Sequence, residues 1–134
     1  MKLRLRGQSL RLRLTKSEVA ALNARGFWQD ETVFGAGGFP ALTYRVESSL
    51  VEHPEVRLTA DHSAMVMVVL PSADVNNWAE TAKVGLYFEA PWGLKVAVEK
   101  DFQCLDPRRD EDESDNFDNP NAGTGGHAGC GVNL

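Results

Sequence analysis

The sequence predicts an α+β fold: one single domain, mainly an antiparallel sheet of about eight strands with two short helices. Three observations predict it. Leucine alternates with basic residues through KLRLRGQSLRLRL at the start of the chain. Two segments switch from this period of two to helical spacing behind capping residues. The remaining apolar runs are rich in β-branched and aromatic residues and are separated by turns, most of which contain Gly or Pro.

In the first pair of strands, Leu3 and Leu5 share one face with Leu10, Leu12 and Leu14, while Arg4, Arg6, Arg11 and Arg13 point the other way. Paired as a hairpin around Gly7-Gln8-Ser9, these strands crowd four arginines onto one face, and like charges opposite each other destabilise a sheet. Either an anionic group covers them or the strands splay apart. TKSEVAALNARG follows. Thr15 is a suitable N-cap, Glu18 is its capping-box partner three residues on, Val19 and Leu22 form an apolar stripe, and Gly26 ends the helix.

FWQDETVF and ALTYRVES, separated by GAGGFP, read as strands, as do VRLT and AMVMVVL. AMVMVVL is apolar at every position, which predicts a central strand covered on both sides. Pro71 opens a second helix with Val75, Trp78 and Ala79 on its apolar stripe. VGLYFEA and LKVAVEKDF, joined at Pro91-Trp92-Gly93, form the last hairpin. Strands are thus expected over 10–14, 28–34, 41–47, 64–70, 84–89 and 94–101, and helices over 16–25 and 72–80. Leu12, Leu14, Val19, Leu22, Met67, Val69, Val75, Trp78, Leu86, Phe88, Val96 and Val98 are the expected core.

The chain also aligns with itself. LRLTKSEVAAL at 12–22 matches VVLPSADVNNW at 68–78, placing Leu14 on Leu70, Glu18 on Asp74, Val19 on Val75 and Leu22 on Trp78. This suggests two strand–helix–strand–strand halves.

Charge is segregated. The net charge is −5, yet residues 1–25 carry seven basic side chains against Glu18, and residues 101–134 carry eight acids against Arg108 and Arg109. Residues 1–102 read as the globular α+β domain, and 103–134 as an acidic, Gly-rich C-terminal tail docked on it, with Phe117 as apolar anchor and segment 106–118 across the arginine face. No apolar run reaches a membrane span, and the N-terminal leucines are too interrupted for a signal peptide, so a cytoplasmic protein is expected.

Candidate chemistry is sparse. Nucleophile-elbow, phosphate-loop and His-Glu-x-x-His motifs do not occur. His53 and His62 read as surface loop residues, and Trp28, Trp78 and Trp92 as core or turn packing. Cys104, His127 and Cys130 form a Cys…His-x-x-Cys set suited to zinc. The acids around Asp110 fail an EF-hand, because Asp115 stands where glycine is needed and Asn121 where a bidentate Glu is needed. The sequence leaves any enzymatic activity open. It points first to a small binding or interaction protein, with Arg4, Arg6, Arg11 and Arg13 as the ligand face for a protein partner or an anionic ligand. The alternative is a metal-binding protein or metal-dependent enzyme using Cys104, His127 and Cys130. Nucleic acid is disfavoured by net acidity.

MKLRLRGQSLRLRLTKSEV, taken together with VEKDFQCL and EDESDNFDNP, resembles the two ends of an uncharacterised family of small bacterial proteins known as a domain of unknown function. The resemblance spans nearly the whole chain. It implies a single domain and carries no activity or catalytic residues to transfer.

Overall fold

The computed structural model describes residues 1–103 and 114–120. It contains eight strands and two helices in chain order: β1 (Lys2–Leu5), β2 (Ser9–Leu14), α1 (Lys16–Arg25), β3 (Phe27–Val33), β4 (Ala41–Ser49), β5 (Glu55–Ala60), β6 (Ala64–Pro71), α2 (Ser72–Glu80), β7 (Gly85–Ala90) and β8 (Leu94–Lys100). The strands divide into two four-stranded sheets, ordered β1-β2-β8-β7 and β3-β4-β6-β5. Each sheet joins two antiparallel hairpins through one parallel pair, β2 with β8 in the first and β4 with β6 in the second.

The internal repeat explains this arrangement. Each half runs hairpin, helix, hairpin, and its two hairpins go to different sheets. The first sheet takes β1-β2 from one half and β7-β8 from the other; the second takes β3-β4 and β5-β6. A hairpin alone is marginal in water, so each half depends on the other to complete both sheets. The aligned residues Leu14 and Leu70, Val19 and Val75, and Leu22 and Trp78 are all buried in one core.

Local chemistry sets the helix ends. Thr15 and Glu18 form the capping box of α1, with the Glu18 carboxylate accepting the Thr15 N–H at 2.9 Å. Gly26 closes the helix in a left-handed conformation, and its N–H donates to the Leu22 carbonyl. In α2 the buried residues are Val75 and Trp78, and the Trp78 indole donates to the Val84 carbonyl at 3.1 Å.

The core unites both sheets and both helices: Leu10, Leu12 and Leu14 from β2, Val46 from β4, Val68 and Leu70 from β6, Leu86 from β7, and Val96 and Val98 from β8. The expected core differs here in phase. In β6 it is Val66, Val68 and Leu70 that contact the core, whereas Met67 lies on the other face and is half-buried. That outer face is open at Met65 and Met67, which are both partly exposed and flanked by Arg45 and Arg57 of the neighbouring strands, and closed at Val69, which is buried as expected. A strand apolar at every position contains no phase signal, so the alternation could not select its core face. Phe88 packs against the core but is only partly buried.

Segment 114–120 returns to the body. The Phe117 N–H donates to the Asp101 carbonyl and bridges the chain to Phe102, with the two rings 5.7 Å apart. Lys100 places its ammonium 5.2 Å from the Phe117 ring centroid.

Candidate functional site

The outward positions of the first sheet form rows across its four strands. Register sets Lys2 opposite Arg13 and Arg4 opposite Arg11 on the β1-β2 hairpin, so the basic side chains meet as facing pairs. The tight turn continues this face. Arg6 and Ser9 exchange backbone hydrogen bonds around Gly7 and Gln8, and Gly7 takes the left-handed conformation such a turn requires. Of the four arginines expected to form one face, the strand residues Arg4, Arg11 and Arg13 share it through the register, and Arg6 stands at its end.

The parallel strand β8 supplies the counter-charge. Glu99 is the register partner of Arg13. Its Oε1 lies 3.0 Å from Arg11 Nε and 4.0 Å from Arg13 Nε, while Asp101 lies 3.2 Å from the Lys2 ammonium. The Glu99 Oε1 atom is buried and ion-paired without the alignment of a hydrogen bond. Among the described residues, Arg4 and Arg6 have no ion pair. The hairpin is therefore not splayed, and one carboxylate serves Arg11 and Arg13.

Tyr87 of β7 completes the cluster. Its hydroxyl donates to Glu99 Oε2 at 2.7 Å. The ring reaches Glu99 diagonally, across Gly85, whose register partner is Glu99 itself. A Cβ on Gly85 would stand 2.9 Å from the Tyr87 hydroxyl and 2.9 Å from the Val98 carbonyl oxygen. Desolvation, reinforced by the Glu99 carboxylate, pushes the Tyr87 phenol up to about 12. Tyr87 was not legible as a site residue, because its neighbours come from the two ends of the chain.

Other sequence candidates are placed as follows. Cys104, His127 and Cys130 lie outside the described residues, as do residues 106–113 of the acidic segment. Among the described residues, no group of three or more His, Cys, Asp or Glu side chains gathers in a way that could hold a metal. Of the two described acids of the acidic segment, Asp115 sits at the start of α1, away from Glu99's cluster in its contacts. Its carboxylate accepts from the Ser17 hydroxyl at 2.6 Å and the Ser17 N–H at 3.3 Å, and its carbonyl accepts from the Lys16 N–H. These bonds satisfy helix donors that would otherwise lack partners, and Ser17 and Thr15 hold the Asp115 carboxyl below its ordinary value.

A family of unknown function (DUF7009) matches residues 1–121, from the basic hairpin through the segment that caps α1. The chain belongs to this family. The match takes in Arg4, Arg11, Arg13, Tyr87 and Glu99, so the whole cluster lies inside the family's span. No curated protein and no solved structure matches the chain. No helix is long and apolar enough to cross a membrane, among the described residues.

Proposed function

We propose that this is a small binding protein whose ligand surface is the outer face of the first sheet, and that its ligand or partner presents anionic groups. One observation carries the reading: Lys2 and Arg13, and Arg4 and Arg11, face each other across a hairpin. Folding does not require this arrangement, because threonine or serine would solvate the same face without repulsion. Basic residues on an edge strand also discourage edge-to-edge aggregation, which accounts for Lys2 and Arg4 on β1. It does not account for Arg11 and Arg13, which lie on an inner strand hydrogen-bonded on both sides.

The site's chemistry suits recognition. Arginine offers a planar fork of donors to carboxylate or phosphate oxygens. Glu99 and Tyr87 hold Arg11 near one place, while Arg4 and Arg6 retain donors for an incoming anion. The proposal keeps the cytoplasmic setting expected from the first strands and the bacterial source implied by the resemblance. It treats 1–102 as the binding domain and 103–134 as its appended segment.

Binding of polyglutamate to the full chain at low salt tests the reading, against an Arg4→Glu/Arg6→Glu variant. The expected result is binding by the natural chain that weakens with salt, and loss of at least about tenfold affinity in the variant, because exposed charges act over about a Debye length. Equal affinity in the two proteins would overturn it.

A further inference from the structure

The turn between β7 and β8 holds a residue that suits neither its backbone nor its surroundings. Trp92 sits in the left-handed region, at φ 68° and ψ 18°. Among the described residues, every other position with such a φ is a glycine: Gly7, Gly26, Gly37, Gly38 and Gly93. The internal repeat supplies a control. The equivalent turn between β3 and β4 places glycines, Gly37 and Gly38, at its left-handed positions. A Cβ in this conformation is disfavoured, and Gly or Asn is the ordinary choice after a proline in such a turn.

The side chain recovers nothing inside the molecule. Trp92 is 95% exposed, the largest apolar side chain left in solvent. Backbone strain and an unburied indole thus coincide at one position. Strained residues held without local benefit cluster where molecules bind.

The turn also has a charged neighbourhood. The Lys95 N–H, just after the turn, donates to the Gln8 carbonyl, so the β7-β8 and β1-β2 turns lie together at one end of the first sheet. Arg6 and the exposed Leu5 belong to that end, and the Arg4–Arg11 pair lies beyond it.

We infer that Trp92 is the apolar anchor of an interface with an acidic, extended segment of a partner protein, which runs from this turn across the basic face. The inference rests on the binding reading above and adds the partner's class. Trp, Tyr and Arg are the side chains that dominate protein–protein interfaces, and this surface presents all three. Nucleic acid fits less well, because a long polyanion meets the chain's net charge of −5, whereas a short segment senses only the local cations. A lipid surface fits less well for the same reason, because an anionic membrane is a broad sheet of negative charge that meets the chain's net charge of −5. A second copy would bring arginines against arginines if the same faces met.

The test uses the full chain carrying 5-fluorotryptophan, with the Trp92 fluorine signal assigned by its absence from Trp92→Gly. Probes are synthetic twelve-residue peptides alternating Asp or Glu with Leu or Phe, matched peptides with Ser in place of the apolar residues, oligothymidylate, and phosphatidylserine vesicles. The acidic-apolar peptides are expected to bind and shift the Trp92 signal. Trp92→Gly should lose at least about tenfold affinity for them yet melt higher by a few degrees, roughly 4 °C, through relief of the left-handed strain. Binding unchanged in Trp92→Gly but lost in Arg4→Glu/Arg6→Glu would overturn the anchor and leave the basic-face reading standing. A Trp92 shift produced by oligothymidylate or vesicles but by no acidic-apolar peptide would overturn the partner class. A shift that depends on protein concentration alone would assign the tryptophan to self-association and overturn the inference as well.

Discussion

The Tyr87 hydroxyl donates to the Glu99 carboxylate at 2.7 Å, and the two residues are diagonal neighbours on adjacent strands with Gly85 between them. The same carboxylate faces Arg11 and Arg13 from the next strand. One hydrogen bond therefore ties the edge strand β7 to the charge balance of β2.

This contact should be visible in a titration. The Tyr87 phenol is raised to about 12, so the folded state holds that proton more tightly than the unfolded chain does. Its contribution to stability is full below the ordinary tyrosine range near 10 and is lost as pH rises toward 12. Absorbance at the phenolate band in a Tyr44→Phe background should show one late-ionising tyrosine. Tyr87→Phe should flatten the dependence of melting temperature on pH across that window.

Gly85 leaves the space the phenol occupies. Gly85→Ala should destabilise the protein by about 1–3 kcal/mol, because the new methyl meets both the Tyr87 hydroxyl and the Val98 carbonyl at 2.9 Å. Combining it with Tyr87→Phe should recover only part of that cost, since the backbone carbonyl cannot move away. Urea unfolding of the single and double variants measures both effects.

The phase of β6 separates two apolar residues three positions apart, Met67 and Leu70. Leu70→Ala should cost about 2–5 kcal/mol, as should Leu22→Ala on α1, because both side chains are fully enclosed. Met67→Ala should cost well under half as much, since its face is partly open. Equal costs for Leu70→Ala and Met67→Ala would contradict the register of β4 with β6.

Asp115 should make the start of α1 sensitive to acid. Its carboxyl is held low, chiefly by the Ser17 hydroxyl, so the capping contact contributes above the ordinary aspartate range and is lost as pH falls through the lowered value. Asp115→Asn should remove this acid dependence and speed hydrogen exchange at Ser17, whose N–H the carboxylate accepts, more than at Lys16, whose N–H bonds to the retained backbone carbonyl. Exchange at Val19, whose N–H bonds to the Thr15 carbonyl within the helix, should change less.

Sequence by itself determined the local parts of this protein. The Leu-Arg alternation defined β2 and its buried Leu10, Leu12 and Leu14, because a strand's side chains alternate with period two. Thr15, Glu18 and Gly26 set the limits of α1, since a helix end must satisfy its own backbone groups. The match of Leu14, Val19 and Leu22 to Leu70, Val75 and Trp78 revealed the two halves, whose paired residues share one core. The shared face of Arg4, Arg11 and Arg13 was legible for the same periodic reason, with Arg6 in the turn at its end. Tertiary structure decided what periodicity cannot contain. It exchanged hairpins between the halves to make two sheets, since strand order depends on contacts far apart in sequence. It chose Val68 over Met67 for the core, because AMVMVVL offers two equally apolar faces. It brought Glu99 and Tyr87 from the last hairpin to the arginines of the first, through a parallel pairing with no local signal. And it left Trp92 in solvent at a left-handed turn position, where composition alone had suggested only a packed aromatic.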